Sequence, residues 1–403
     1  MRTFTFLLCS CLYGLAALQP ATPPVTEETL VTPELIAAAK TGDPQAEEKL
    51  GSGYFFGRGV PSDRKQGIEW WLKAANQGYA QAEWHMAILA LWDNKFPRNE
   101  TEGFKWLLKA AQHGHVEAQF YVGNYYQQGE IVTEDPNQAL FWFRKAAEQN
   151  HPQAQYILGL CYATGKGTPQ NPTEAAKWIL KSAEQGYEDA IINMAMIYKL
   201  GVGVERDEKK ATALLQKGAE QNNGRIQFAL GIDYLEHNDE VQAFRWEKKA
   251  AESGFAEAQF NLGNSYSMGQ FGPQDFTQAL FWWHKAAEQN HAAADYNIGY
   301  AYAHGEGVPQ DFTKAALWYR KSALLNYASA QHNLANAYAN GRGVPLDLVQ
   351  SYAFWSLASD RDDGSKSNLA SIIKDHPEIQ AAGEKRLEAL RQEIAENLSN
   401  ASK

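Results

Sequence analysis

Two apolar series run through most of the chain in step. Trp70, Trp106, Trp142 and Trp178 stand 36 residues apart and Leu214 continues them; after a step of 32, Trp246, Trp282, Trp318 and Phe354 resume the period. Ahead of each lies a small residue: Ala46, Ala82, Ala118, Ala154, Ala190, Ala258, Ala294 or Ala330, with Ile226 the exception. Four positions on comes an apolar residue followed by Gly or Ala, and three beyond that a Tyr (54, 126, 162, 198, 234, 266, 302 or 338), a series that only Ala90 breaks. Spacings of three and four return side chains to one helical face. Each period therefore predicts a helix whose small residues admit a close neighbour, and the Trp series predicts a second helix. The whole reads as nine helix–turn–helix repeats over residues 45–359.

The connections carry their own punctuation. Gly57-Arg58-Gly59-Val60-Pro61, Gly201-Val202-Gly203-Val204, Gly305-Glu306-Gly307-Val308-Pro309 and Gly341-Arg342-Gly343-Val344-Pro345 allow positive φ at a turn. Asp63, Asp207, Asp275, Asp311 and Asp347 then stand where the second helix needs an N-cap. That helix should end at Gly78, Gly114, Asn150, Gly186, Asn222, Gly254, Asn290 and Asn326, the two residue types that tolerate a left-handed helix end. A Lys three after each Trp position suits the negative end of the helix dipole. Glu148, Glu184, Glu220, Glu252 and Glu288 beside it are expected to be solvated and salt-bridged.

The string Ala-x-x-x-Leu-Gly-x-x-Tyr-x-x-Gly-x-Gly-Val-x-x-Asp-x-x-Lys-Ala-x-x-Trp-x-x-Lys-x-Ala resembles the Sel-1-like repeat, a relative of the tetratricopeptide repeat. Residues 294–323 carry it almost whole. The resemblance implies an all-α fold: an α-solenoid, a right-handed superhelix of about nine repeats of ~36 residues with capping helices, its first helices lining the concave side. It also implies a scaffold or regulator that binds another protein without catalysis. Two repeats depart from the pattern. Residues 82–111 lack the Gly-x-Gly loop and 226–251 lack four loop residues, so a local change of loop length or superhelical pitch is expected there, with the helices intact.

Composition narrows the picture. With 44% hydrophobic and 21% charged residues the chain is not disordered, and 37 − 47 = −10 with no Lys/Arg cluster argues against nucleic acid. Arg2 and the uncharged apolar run to Leu18 read as a signal peptide over residues 1–18, shorter than the ~20 residues of a membrane span. An uncleaved anchor is the alternative. Removal of this segment predicts a secreted or periplasmic protein with no stable membrane insertion. Residues 19–32 read as a flexible lead-in, 33–44 as a lone capping helix, and 360–403 as closing helices (Lys366–Lys374 and Pro377–Leu398). Cys161 is then the one thiol left, which allows neither an intrachain disulfide nor a zinc site and fits an inert core residue.

No constellation for catalysis stands out, and neither a cofactor nor a metal is expected. The Gly-x-Gly loops join helix to helix rather than strand to helix, which does not fit a phosphate cradle. The ten His residues form no metalloprotease pattern, and His113 and His115 beside Gly114 read as solvated turn residues. No nucleophile elbow occurs. What remains is a surface: Asn261, Asn264, Asn297, Asn333 and Asn336 flank the apolar–small pairs of the last three first helices, with Tyr300 among them. An amide offers both a donor and an acceptor, which suits the main chain of an extended peptide or the edge of a folded domain. Tyr121 and Tyr125 would add aromatic area. The alternative is that these amides bond neighbouring helices. Cell-wall glycan is the rival ligand, with Trp71, Trp92 and Trp283, which fall off the main series, as sugar-stacking candidates; a hydrolase is the more remote one.

Overall fold

A computed structural model describes residues 30–401 apart from 94, 96 and 271. The proposed signal segment, and the lead-in up to residue 29, therefore lie outside the described residues. Among the described residues there are α-helices from Pro33–Lys40 to Gln380–Ala401, one 3-10 turn at Pro377–Ile379, and no strand. Helices come in consecutive antiparallel-hairpin pairs, such as Pro152–Thr164 with Pro172–Glu184 and Ala292–His304 with Phe312–Leu324. The chain divides into two units, Met1–Leu214 and Leu215–Lys403. In each, a hairpin packs on the next as in an α-solenoid, and the two units together hold about nine repeats.

The predicted stops are where the backbone turns. Gly78, Gly114, Asn150, Gly186, Asn222, Gly254, Asn290 and Asn326 all take positive φ, between 61° and 92°. The second helices start on Asp or Asn side chains at Asp63, Asn99, Asp135, Asn171, Asp239, Asp275, Asp311 and Asp347, each accepting from the backbone N–H two or three residues on. The same residue also ties the hairpin shut. Its own N–H donates to the carbonyl of the periodic Tyr, as from Asp135 to Tyr126 (2.9 Å) and from Asp311 to Tyr302 (2.9 Å). In the repeat without the Gly-x-Gly loop the tie survives, from Asn99 to Ala90 (2.9 Å). In the shortened repeat the helices Gly224–Glu236 and Glu240–Glu252 also persist, joined through Asn238 at φ 59°.

The deepest layer is not the Trp series but the residue that follows it. Trp71, Leu107, Phe143 and Ile179 in the first unit, and Trp283, Tyr319 and Trp355 in the second, are buried. They pack on the small residue of the first helix: a Cβ added at Gly263 would lie 2.5 Å from Trp283 Cδ1. The periodic Trp residues are mostly half-buried, and the periodic Lys lies on them. Lys73 Nζ is 3.6 Å from the Trp70 ring centre, and Lys181, Lys249 and Lys321 stand over Trp178, Trp246 and Trp318 at 4.3, 4.0 and 3.9 Å. This corrects the expected Lys–Glu pairing. Of the five periodic Glu residues only Glu288 pairs with its Lys, at 3.9 Å, among the described residues. A cation three residues on is already engaged by an aromatic face that sheds water more readily than a carboxylate does.

At the N-terminal end of the first unit, the helix Pro33–Lys40 lays Leu35, Ile36 and Ala39 on Ala46, Leu50 and Trp70. At the other end of the second unit, Asp363–Asp375 and Gln380–Ala401 bring Leu369, Ile372, Leu387 and Leu390 onto Tyr352 and Trp355. The first of these closing helices begins three residues before the predicted Lys366, because Asp362 caps it through Ser365 N–H (2.6 Å). No helix among the described residues is long and apolar enough to cross a membrane.

Candidate protein-binding surface

All six candidate residues fall in the second unit, on three successive first helices: Asn261 and Asn264 on Ala256–Met268, Asn297 and Tyr300 on Ala292–His304, Asn333 and Asn336 on Ala328–Asn340. The five Asn residues are half-buried, and Tyr300 is 39% exposed. Where these amides bond one another or a neighbouring helix, they pair diagonally. Asn297 Nδ2 donates to Asn264 Oδ1 (2.9 Å), which also accepts from Trp283 Nε1 (3.0 Å). Asn368 Nδ2 donates to Asn336 Oδ1 (3.2 Å). Part of the amide capacity thus serves neighbouring helices, the alternative the sequence left open. Asn261 stands one turn before Asn264 without entering that pair.

Beside these amides lies a cleft of about 230 Å³ that Asn333, Asn336 and Asn340 line together with Ala315, Tyr319 and Arg342. Its lining contains no carboxylate. The Arg342 guanidinium stacks over the Phe312 ring at 4.8 Å, and the Tyr300 ring stacks on His304 at 3.9 Å. Burial pushes the hydroxyls of Tyr296 and Tyr319 well above their ordinary range, so both remain protonated donors. Chemically the face offers neutral donors and acceptors, aromatic area and one cation.

Other expectations fare differently. Trp71 and Trp283 are 2% and 4% exposed, and Trp92 packs between Trp84 and Tyr121, so none presents a free face to a sugar. Tyr125 is buried, and Tyr121 is half-buried with its ring stacked on Trp84. His115 is not a solvated turn residue. Its ring stacks on Trp84, its Nδ1 accepts from Ala118 N–H to cap the helix Val116–Gln128, and burial lowers its pKa to about 4. His113 is half-exposed and meets the buried Glu83 at 2.7 Å. Cys161 is buried and its thiol is pushed up to about 11, consistent with an inert core position. No group of metal-ligating side chains stands together among the described residues.

One periodic feature escaped the sequence reading. The residue after the small position of the first helix (Ile at 226) is Gln at 119, 155, 227, 259 and 331. Each donates Nε2 to the carbonyl eight residues earlier, at the end of the preceding second helix (Ala111, Ala147, Ala219, Ala251 and Ala323, 3.1–3.2 Å). Each also accepts at Oε1 from the end of its own second helix: Gln149, Gln185, Ser253, Gln289 and Arg361. These buried amides interlock successive second helices. The signal was present in the sequence as a second polar period, but polar periodicity is read by default as a solvent-facing stripe.

Hairpins of this make, packed each on the next around interlocked helix ends, define a helical-repeat protein. The Sel1 repeat matches nine times in register, at residues 44–79, 80–115, 116–151, 152–187, 188–223, 227–255, 256–291, 292–327 and 328–363, and the chain belongs to that family. Among solved structures it is similar to a Sel1 repeat protein from Oxalobacter formigenes, with 28% identity over 88% of this chain and 99% of that one and a TM-score of 0.63. It is also similar to a protective antigen of uropathogenic Escherichia coli strains that displays an SLR fold, with 30% identity over 91% and 87% and a TM-score of 0.55. No curated protein matches it. Sel1 repeat proteins generally mediate protein–protein interaction, are generally non-catalytic and are often extracellular or periplasmic.

Proposed function

We propose that this chain is an exported, non-catalytic scaffold or regulator that binds a partner polypeptide along the first-helix face of residues 256–340. The observation that carries this reading is the convergence there of half-buried amides, the exposed Tyr300 and a carboxylate-free cleft bearing Arg342. Amides at Asn261, Asn297, Asn333 and Asn336 meet main-chain groups without demanding a sequence, and Tyr300 supplies a rigid anchor. Glycan binding loses support with the burial of its proposed Trp platforms. Export rests on the charge-free apolar stretch ahead of Leu18.

The test is crosslinking capture from the envelope or secreted fraction, comparing the wild type with an Asn261/Asn297/Asn333→Ala triple variant of unchanged helicity. Loss of a specific partner by the variant supports the site. Equal retention moves binding elsewhere. Retention on cell-wall material with no protein partner revives the glycan reading.

A further inference from the structure

One position of the interlock sets a buried carboxyl opposite a residue that has no donor. Asp295 stands in the repeat 292–327 where Gln259 and Gln331 stand in the repeats on either side. A Gln there gives an N–H to the carbonyl eight residues back and takes one from the residue thirty on, as Gln259 does with Ala251 (3.1 Å) and Gln289 (2.8 Å). At 295 an ionised carboxyl has no hydrogen to give, and the residue thirty on is Leu325, which offers no donor. Asp295 is nonetheless 3% exposed, and its Oδ1 is buried without a hydrogen-bond partner among the described residues. Burying an unpaired carboxylate is costly enough that such groups neutralise instead.

We propose that Asp295 is held as the neutral acid in the folded protein and that its proton closes the joint between residues 256–291 and 292–327, which loosens when the group ionises. The neutral acid regains what the neighbouring repeats draw from glutamine, an O–H to donate toward the Ala287 carbonyl, counterpart of the Ala251 and Ala323 acceptors. The side chain is one methylene shorter, a gap that a closer approach of the helix ends or one bridging water makes up.

The surroundings favour the neutral form. The helices packed against Ala292–His304 carry His284 and Lys285 on one side and Lys314, Tyr319, Arg320 and Lys321 on the other, with His291 and His304 at the ends of its own helix. Of these charges Lys321 is felt at Asp295 and favours ionisation, but it also lies over the Trp318 ring. Burial outweighs it and raises the carboxyl to about 7. The proposal does not depend on what the adjoining face binds.

Two measurements on the full chain test it. Carboxyl-carbon NMR of wild type should show Asp295 titrating near neutrality; titration near the ordinary ~4 would overturn the idea by itself, whether or not any variant folds. Thermal melts from about pH 5 to about pH 8 should show the wild-type midpoint falling by at least about 3 °C relative to Asp295→Asn. The double variant Asp295→Gln/Leu325→Gln, which rebuilds the neighbouring pair, should melt higher and follow the same pH profile as Asp295→Asn. Parallel profiles for wild type and Asp295→Asn would also sink the proposal.

Discussion

The two units build the same hairpins but treat their inner polar positions differently. In the first, the residue after each periodic Trp is Trp71, Leu107, Phe143 or Ile179, all apolar and buried, and the interlock residues Glu47, Glu83, Gln119 and Gln155 all find partners near the end of the following second helix. In the second, Glu247 occupies one of those inner positions and Asp295 one of the interlock positions. Burial raises both carboxyls to about 7. One scaffold thus tolerates two regimes. Glu47, Glu83, Gln119 and Gln155 of the first are all partnered, whereas in the second the Oδ1 of Asp295 has no hydrogen-bond partner among the described residues, and the amide-bearing face lies in that same unit.

The comparison breaks most directly in the core. Phe143→Ala should cost about 3–5 kcal/mol by transfer and cavity terms, whereas Glu247→Ala at the matching position should cost far less. Urea denaturation of the two variants reads the difference, and similar losses would erase the distinction between the units. Next in size, Gln155→Leu removes the bonds to the Ala147 carbonyl, which keeps the Asn150 N–H, and to the exposed Gln185 amide, and should cost about 0.5–1.5 kcal/mol, seen as faster amide exchange in residues 144–187.

The pH dependence sharpens the contrast. Glu247 and Asp295 hold their protons at about 7 when folded against ordinary values of 4.5 and 3.8, so the folded chain binds protons more tightly than the unfolded one. Their stabilisation is complete below about pH 4 and is lost as the pH rises through about 7. Thermal melts of Glu247→Gln should be flatter between those limits than wild type; an unchanged slope would place the titration elsewhere. Smallest of all, Lys181→Met and Lys249→Met should each cost about 0.5–1 kcal/mol by removing a cation from a Trp face, equally in both units.

Period, helix ends and caps were legible because they depend on local rules. Asn150 and Gly186 end helices through backbone conformation alone, and Asp311 caps through its own neighbours. What stayed hidden depends on a partner in another helix, nineteen or more residues away. Nothing local distinguishes Trp71, sealed on Gly51 and donating to Ser52 (3.2 Å), from a Trp free to stack on a ligand. His115 misled for the same reason, since Trp84 thirty-one residues earlier decides its environment. The Asn positions were legible as a surface feature, but the diagonal bond from Asn297 to Asn264 follows from how two hairpins are offset, which spacing within one helix does not specify.

Because each glutamine joins the helix end behind it to the helix end ahead, a whole 36-residue copy inserted or lost between equivalent positions meets matching donors and acceptors on both sides. Inheritance by duplication is therefore nearly seamless across residues 116–187. A copy that included residues 292–327 would carry a second Asp–Leu mismatch with it. Duplicating this repeat would therefore also copy a buried carboxyl whose Oδ1 has no partner among the described residues.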